Sequence, residues 1–184
     1  MYFNLEKSLL EEKEGIFTAQ EIYSQPSIWK QSINSILNSK ERISDFMSNF
    51  LKKDNKRIIL TGAGSSAFAG EVCSPQLSKL LGFTVESIAT TDIVASPSNY
   101  LYEDTPTLLI SFARSGNSPE SVAAVNLAKQ IVKDLDQVVI TCNENGKLAL
   151  ASDSDEKSLL LLMPKESNDR GFVMTSSFTS MILS

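Results

Sequence analysis

The sequence contains no histidine among its 184 residues. The Ser-His-Asp triad needs an imidazole as its general base, so this class of hydrolytic site is excluded. Zinc sites draw most of their ligands from histidine and cysteine, and the chain has only two cysteines, Cys73 and Cys142. No metal site is therefore expected. Any acid–base chemistry at neutral pH must use a carboxylate, a lysine or a group outside this chain.

Long apolar runs and excess positive charge are also lacking. No stretch approaches the roughly 20 apolar residues of a membrane helix, and the acidic start MYFNLEKSLLEEKEG does not have the pattern of a signal peptide. We expect a cytoplasmic protein with no membrane partner, whose cysteines are buried thiols rather than a disulfide. The net charge of −5 argues against a nucleic-acid partner. An anionic ligand would have to be held by local dipoles or a lone cation.

Residues 1–53 are predicted to form an N-terminal helical arm. In PSIWKQSINSILNSKERISDFMSNFLKK, apolar residues recur mostly every three or four positions, which is the spacing of one helix face. Pro26 suits the first turn of one helix and Ser39 the N-cap of the next, so two helices are expected. The simplest interpretation is an amphipathic arm packed on the domain that follows.

Residues 54–184 show a different pattern, in which short apolar segments alternate with helical ones. One helical segment, PESVAAVNLAKQIVKD, carries Pro119 in its first turn. This alternation predicts an α/β fold: a three-layer sandwich with a five-stranded parallel sheet in the flavodoxin-like order 2-1-3-4-5. The predicted strands are RIILTG, FTVESIA, PTLLISF, QVVITC and KSLLLLMP.

The final residues, TSSFTSMILS, have helical character but no glycine, capping residue or polar tail. This pattern favours a chain that is part of a longer protein. The alternative is a short natural chain whose last helix docks on the domain.

Two loops rich in small polar residues follow predicted strands. TGAGSSAFAGE follows the first strand and FARSGNSPE follows the third. In a sheet of order 2-1-3, these two strands are neighbours and their following helices lie on opposite faces. The crevice between them is the switch point where ligands bind, so both loops are expected at one site.

The composition of these loops suits a phosphate monoester. A dianion needs several short donors around it, and backbone N–H groups at a helix N-terminus supply some of them. Arg114 is either a phosphate ligand or a surface residue, and Ser118 alone could be a helix N-cap. Hydroxyl donors and close backbone approach would come from Ser65, Ser66, Ser115, Ser118, Gly64 and Gly116.

The first loop also allows a dinucleotide site. Gly62, Gly64 and Ala67 match the G-x-G-x-x-A fingerprint after a strand and before a helix. That fingerprint expects an acidic residue at the end of the second strand, whereas here the strand ends SIATTD and Asp92 comes late. A dinucleotide also gives no reason for a second serine-rich loop, so the phosphate monoester is preferred.

Both loops together resemble the sugar isomerase (SIS) family of phosphosugar-binding domains. The resemblance covers about residues 50–184 and rests on GAGSSAFAG, on SFARSGNSPES and on the order of strands and helices. The second loop is similar to the family's S-x-S-G-x-[ST] phosphate loop, with Ala113 in place of the first serine. NDRGFVMTSSFTSM resembles the branch that acts on galactosamine or tagatose 6-phosphate.

The resemblance implies roles for individual residues. Ser66, Arg114, Ser115 and Ser118 would hold the phosphate, while Ser65 and the loop from Phe172 to Thr175 would contact the sugar. Asn117 stands where the family often has a glutamate. Thr175 could instead belong to a helix cap. The substrate-binding set is thus Gly64, Ser65, Ser66, Arg114, Ser115, Gly116, Asn117, Ser118 and Thr175.

The resemblance also implies an activity, which is proton transfer between C1 and C2 of an open-chain sugar phosphate. No metal or organic cofactor is implied. In similar enzymes the glutamate base and a ring-opening histidine come from a second SIS domain, so the catalytic residues are expected outside this chain. SIS domains typically pair, and a homodimer is expected. The alternative function is a non-catalytic SIS sensor of a sugar phosphate in a regulator.

Overall fold

The sheet determines the architecture of the molecule. The computed structural model describes residues 1–184. All five strands pair in parallel in the order β2-β1-β3-β4-β5, which confirms the predicted α/β fold. The edge strand β2 is shorter than FTVESIA suggested. The strands are β1 (Arg57–Gly62), β2 (Val85–Ser87), β3 (Thr107–Ala113), β4 (Leu135–Thr141) and β5 (Ser158–Leu162).

Helices precede the sheet and connect its strands. The N-terminal part contains α1 (Lys7–Glu12), α2 (Ile16–Asn38) and α3 (Lys40–Leu51). The rest are α4 (Ser65–Leu81), α5 (Thr90–Ala95), α6 (Pro97–Tyr100), α7 (Pro119–Ile131), α8 (Lys147–Asp153) and α9 (Ser176–Ile182), with a 3-10 turn at Lys165–Ser167. None of them combines the length and the apolar character needed to cross a bilayer.

The position of Pro26 differs from the prediction. It lies in the interior of α2, which begins at Ile16, rather than in a first turn. A proline ordinarily weakens a helix interior because it lacks an N–H. Tertiary contacts hold the preceding turns here, since the Ser176 hydroxyl donates to the Glu21 carbonyl (3.1 Å). Ser39 is the N-cap of α3 as predicted, but its hydroxyl makes no capping hydrogen bond.

Alternate strand residues pack on opposite faces of the sheet. Leu60 and Leu108 pack with α3, α4 and α9, whereas Ile59 and Leu109 pack with α5, α7 and α8. The helix after β1 and the helix after β3 therefore lie on opposite faces. Because β1 and β3 are neighbours in register, with Gly62 opposite Phe112, the loops that follow them open into one crevice.

Candidate functional site

A polar cavity of about 380 Å³ occupies this crevice at the carboxyl ends of β1 and β3. Most of its wall comes from the two loops, and the rest comes from the first turn of α7 and from the segment before α9. Its lining residues are Ala63, Gly64, Ser66, Phe112, Ala113, Arg114, Ser115, Gly116, Ser118, Glu120, Ser121, Phe172 and Met174.

Six of the nine predicted site residues line this cavity: Gly64, Ser66, Arg114, Ser115, Gly116 and Ser118. The other three lie outside its wall. Ser65 is exposed at the start of α4. Asn117 is exposed, and the Thr175 hydroxyl is buried against Asp169 (3.0 Å). Thr175 occupies the N-cap position of α9, but its side chain makes no capping hydrogen bond.

Glycine is needed at two turns of the wall. Gly64 has φ 54° and Gly116 has φ 64°, in the left-handed region that residues with a Cβ rarely adopt. Gly64 precedes α4, and Gly116 turns the chain before α7. Both turns bring backbone close to the cavity.

The serine-rich loop after β3 is anchored through its carbonyl groups. The Arg114 carbonyl accepts a hydrogen bond from the Thr141 hydroxyl (3.4 Å). The next two carbonyls, of residues 115 and 116, accept from the Asn143 side-chain amide (2.9 Å) and from the Leu148 N–H (3.1 Å). The Asn117 side chain accepts from the first N–H of α8 (3.0 Å). The loop is therefore fixed from the β4–α8 side, and Asn117 belongs to this anchor.

Anchoring the carbonyls leaves donors free on the same loop. The N–H groups of Ser115, Gly116 and Ser118 donate to no acceptor in the protein. Successive free N–H groups in a turn form a concave nest that suits an anion. Ser118 is the N-cap of α7, as predicted: its side-chain oxygen accepts from the Ser121 N–H (3.3 Å) and donates to the Ser121 hydroxyl (2.6 Å).

Arg114 supplies the cationic group of the cavity. It is half-buried in the wall, which favours the ligand interpretation over a surface residue, and its Nη1 donates to the Gly171 carbonyl (3.1 Å). Glu120 also lines the cavity, in the first turn of α7, where the helix dipole favours a carboxylate. The cavity therefore combines one cation, one carboxylate and several neutral donors.

Ser66 connects the first loop to the segment before α9. Its side chain is buried, and its hydroxyl lies 3.8 Å from the Met174 sulfur. Phe172, in the same segment, is 99% exposed although it borders the cavity. An aromatic ring left in solvent at the rim of a cavity is available to a ligand that enters it.

Sequence reasoning missed Asp169, which organises this segment. Its carboxylate accepts five hydrogen bonds from residues 175–177, three from N–H groups and two from hydroxyls. The run Thr-Ser-Ser at the start of a helix was a signal, because such a cluster of donors suits a carboxylate. Asp169 lies six to eight residues before its donors, which is beyond the three-residue spacing at which a helix cap is recognised from sequence.

Both cysteines are free thiols rather than a disulfide, as predicted, but of the two only Cys142 is buried. Cys142 is buried behind the serine-rich loop, and this burial raises the pKa of its thiol to about 11. Cys73, in α4, is half-buried, and burial also raises its pKa. Neither thiol is activated as a nucleophile, since activation requires a lowered pKa.

The dinucleotide interpretation lacks its acidic partner. β2 ends at Ser87, and Asp92 lies beyond it in the first turn of α5. The acidic residue within β2, Glu86, is paired with Arg57 (2.8 Å from its Oε2 to the arginine Nε). No carboxylate therefore closes β2 where a ribose would need one.

Comparison with known proteins identifies the family of this chain. The SIS domain model matches residues 51–184. A D-galactosamine-6-phosphate deaminase from Escherichia coli is 47% identical over 170 residues, which is 92% of this chain and 44% of the relative. The chain thus spans less than half the length of that curated relative.

Two crystal structures extend the comparison to the fold. The tagatose-6-phosphate ketose/aldose isomerase from Escherichia coli superimposes with a TM-score of 0.89 at 46% identity, covering 92% of this chain and 46% of that one. A Clostridium novyi protein superimposes with a TM-score of 0.96 at 50% identity, covering 100% of this chain and 47% of that one. From its sequence and its fold, the chain belongs to the SIS domain family.

Proposed function

We propose that this chain is the sugar-phosphate-binding SIS unit of an aldose–ketose isomerase or deaminase that acts on galactosamine 6-phosphate or tagatose 6-phosphate. The observation that carries the proposal is the polar cavity, where Arg114, the serine hydroxyls and three free N–H groups converge. The names of the related deaminase and isomerase support the choice of substrate.

The phosphate would bind against the serine-rich loop. The protein carries a net charge of −5, so long-range attraction does not bring an anion to the site. Local donors must replace the water around the dianion, and charge-assisted hydrogen bonds from a guanidinium are among the strongest available. Arg114 and Ser115 would contribute most, with Ser66 and Ser118 completing the shell.

The sugar would extend toward the segment before α9. Phe172 and Met174 offer apolar surface at that end, and the cavity volume of about 380 Å³ lies within the usual range for small-molecule sites. Ser65, at the mouth of the crevice, is proposed as a further sugar contact. Asn117 and Thr175 are proposed to act indirectly, through the anchors described above.

The reaction would be proton transfer between C1 and C2 of the open-chain sugar. The chain contains no histidine, and it spans less than half of its curated relative, so we propose that the proton-transferring groups come from outside it. No cofactor is part of the proposal. Pairing of two SIS domains is proposed as well, and light scattering of the purified protein tests it.

A sensor of a sugar phosphate in a regulator remains the alternative. The relatives described above carry the names of enzymes, so no observation favours it.

Calorimetric titration with galactosamine 6-phosphate tests the binding function, with galactosamine and NAD as controls. We expect binding heat with the phosphorylated sugar alone. Equal heat with unphosphorylated galactosamine would contradict a phosphate site. Heat with NAD but not with the sugar phosphate would favour the dinucleotide interpretation instead.

A further inference from the structure

The segment of residues 168–175 forms one wall of the polar cavity without being a helix or a strand. It joins the 3-10 turn to α9 and contributes Phe172 and Met174 to the wall. A segment with so little regular structure depends on side-chain contacts for its position. Two carboxylates provide those contacts.

The first carboxylate, Asp169, acts within the segment. By accepting from the N–H groups and hydroxyls of residues 175–177, it fixes the end that enters α9. It does not attach the segment to the rest of the molecule.

The second carboxylate, Glu21, reaches the segment from the N-terminal helix α2. Its Oε1 accepts from the N–H groups of Arg170 (2.6 Å) and Gly171 (2.9 Å). Next to this contact, the Arg170 guanidinium lies 4.4 Å from the centre of the Phe17 ring, also on α2. The arm therefore holds the segment at its middle, through backbone groups.

The approach of α2 to Gly171 is very close. A Cβ at this position would lie 2.8 Å from Oε2 of Glu21 and 3.1 Å from Oγ1 of Thr18. The Oε2 atom of Glu21 is buried and accepts no hydrogen bond. Tight packing on one oxygen and two hydrogen bonds on the other leave the Glu21 carboxylate in a single arrangement.

Gly171 passes this constraint on to the cavity. Its N–H donates to Glu21, while its carbonyl accepts from Nη1 of Arg114 (3.1 Å). One glycine thus stands between a carboxylate on α2 and the guanidinium of the cavity. Displacing Gly171 would release the arginine that is expected to face the phosphate.

We propose that Glu21 is a positioning residue for the polar cavity, holding residues 168–175 so that Gly171 orients the Arg114 guanidinium. This inference rests on the proposed function for its ligand. It gives the N-terminal arm a role in the site, in addition to packing on the domain. Glu21 does not line the polar cavity and is not proposed to touch the ligand.

The test compares Glu21→Ala with Glu21→Gln, using Gln31→Ala on the exposed face of α2 as the matched control. Calorimetry gives the Kd for galactosamine 6-phosphate, and hydrogen exchange without ligand follows residues 168–175. We expect Glu21→Ala to weaken binding about tenfold, as loss of two hydrogen bonds to a charged acceptor allows, and to speed exchange in the segment.

Glu21→Gln should restore binding to within about threefold, because its amide oxygen still accepts from both N–H groups. Gln31→Ala should match the parent in both measurements. If Glu21→Ala binds as tightly as the parent, the inference is overturned while the proposed function stands. If the parent itself does not bind, the proposed function fails, and unchanged exchange in Glu21→Ala would then overturn the positioning role as well.

Discussion

The polar cavity and an apolar trough on one face of the sheet differ in chemistry more than in size. The trough encloses about 550 Å³ and the polar cavity about 380 Å³. Fourteen of the sixteen residues that line the trough are hydrophobic, and none is charged. They are Ile43, Met47, Leu60, Val72, Cys73, Gln76, Leu77, Ile110, Phe112, Val138, Ile140, Leu159, Leu161, Met181, Ile182 and Ser184.

This contrast separates surface that stabilises the fold from surface that selects a ligand. An apolar wall gains free energy from any apolar contact, so it does not orient what it meets. A wall with fixed donors discriminates, because a ligand that fails to match leaves those donors unpaired. The larger opening is therefore the weaker candidate for a specific site. Substitutions in the trough should change stability, whereas substitutions in the cavity should change binding.

The largest effect on stability is expected for Leu161→Ala. Leu161 is buried in β5 and lines the trough. Removing a buried leucine side chain costs about 2–4 kcal/mol in free energy of unfolding, since the apolar contact is lost and a cavity remains. Urea denaturation measures this loss. The Kd for galactosamine 6-phosphate should not change.

Leu162→Ala is the matched control for this variant. It lies next in β5, points to the other face and is 36% exposed, so its truncation should cost about 1 kcal/mol or less. A weaker affinity in Leu161→Ala with unchanged stability would reverse the roles assigned to the two openings.

Arg114→Ala should produce the largest loss of binding. It removes the cation of the cavity together with its fork of donors, which we expect to weaken binding of galactosamine 6-phosphate about 100-fold, or about 2.7 kcal/mol. Arg42→Ala, on the exposed part of α3, makes the same change in net charge and should leave the Kd unaltered. Calorimetry of both variants decides whether position or total charge matters.

Ser115→Ala should have a smaller effect, confined to binding. Its hydroxyl accepts one long hydrogen bond, from the Asn117 N–H (3.3 Å). The free energy of unfolding should therefore hardly change. Loss of one donor to a phosphate should weaken binding about fivefold to tenfold.

Ser118→Ala makes the comparison sharper, because Ser118 is also the N-cap of α7. This variant should lose about 1 kcal/mol of stability as well as affinity. Thermal unfolding and calorimetry of the two serine variants separate the roles. Equal losses of stability in both would show that the loop serves the fold and not the ligand.

The sequence allowed prediction of the features that local patterns determine. Five strands, their order and the meeting of two serine-rich loops followed from apolar runs, from alternation and from the switch-point rule. Ser118 could be interpreted as a cap because the residue that follows it, Pro119, suits the first position of a helix.

The features that were missed depend on partners that lie beyond the spacing of local sequence patterns. Glu21 contacts Arg170 and Gly171, which lie 149 and 150 positions further along the chain. No periodic pattern in the sequence predicts a contact over that separation. A similarly distant contact, from the Ser176 hydroxyl to the Glu21 carbonyl, holds the turns before Pro26, where α2 continues against its local preference. In the sequence, Asp169 is indistinguishable from an aspartate in an exposed loop, because only the fold shows the N–H groups and hydroxyls that donate to it. Side chains that attach one segment to another are therefore the least predictable part of the site.

Charge pairs remote from both openings should have the smallest effects. Lys129 and Asp155 join α7 to the loop before β5 (2.7 Å), and the hydrogen bond from Lys129 lowers the pKa of Asp155. A carboxyl whose pKa is lower in the folded state adds stability above its unfolded pKa, near 3.9, and this contribution is lost as the pH falls through the folded value.

Asp155→Asn keeps an acceptor for the Lys157 N–H but loses the ion pair. At pH 7 we expect a loss of about 0.5 kcal/mol, because the pair is partly exposed and screened by solvent. The difference between the parent and the variant should shrink as the pH falls below about 3.9, and should vanish once the pH lies below the folded pKa of Asp155. Urea midpoints at pH 7 and pH 3 measure the difference, and a gap that does not shrink between these two pH values would mean that packing rather than charge is responsible. The Kd for galactosamine 6-phosphate at pH 7 should match that of the parent, since this pair lines neither opening.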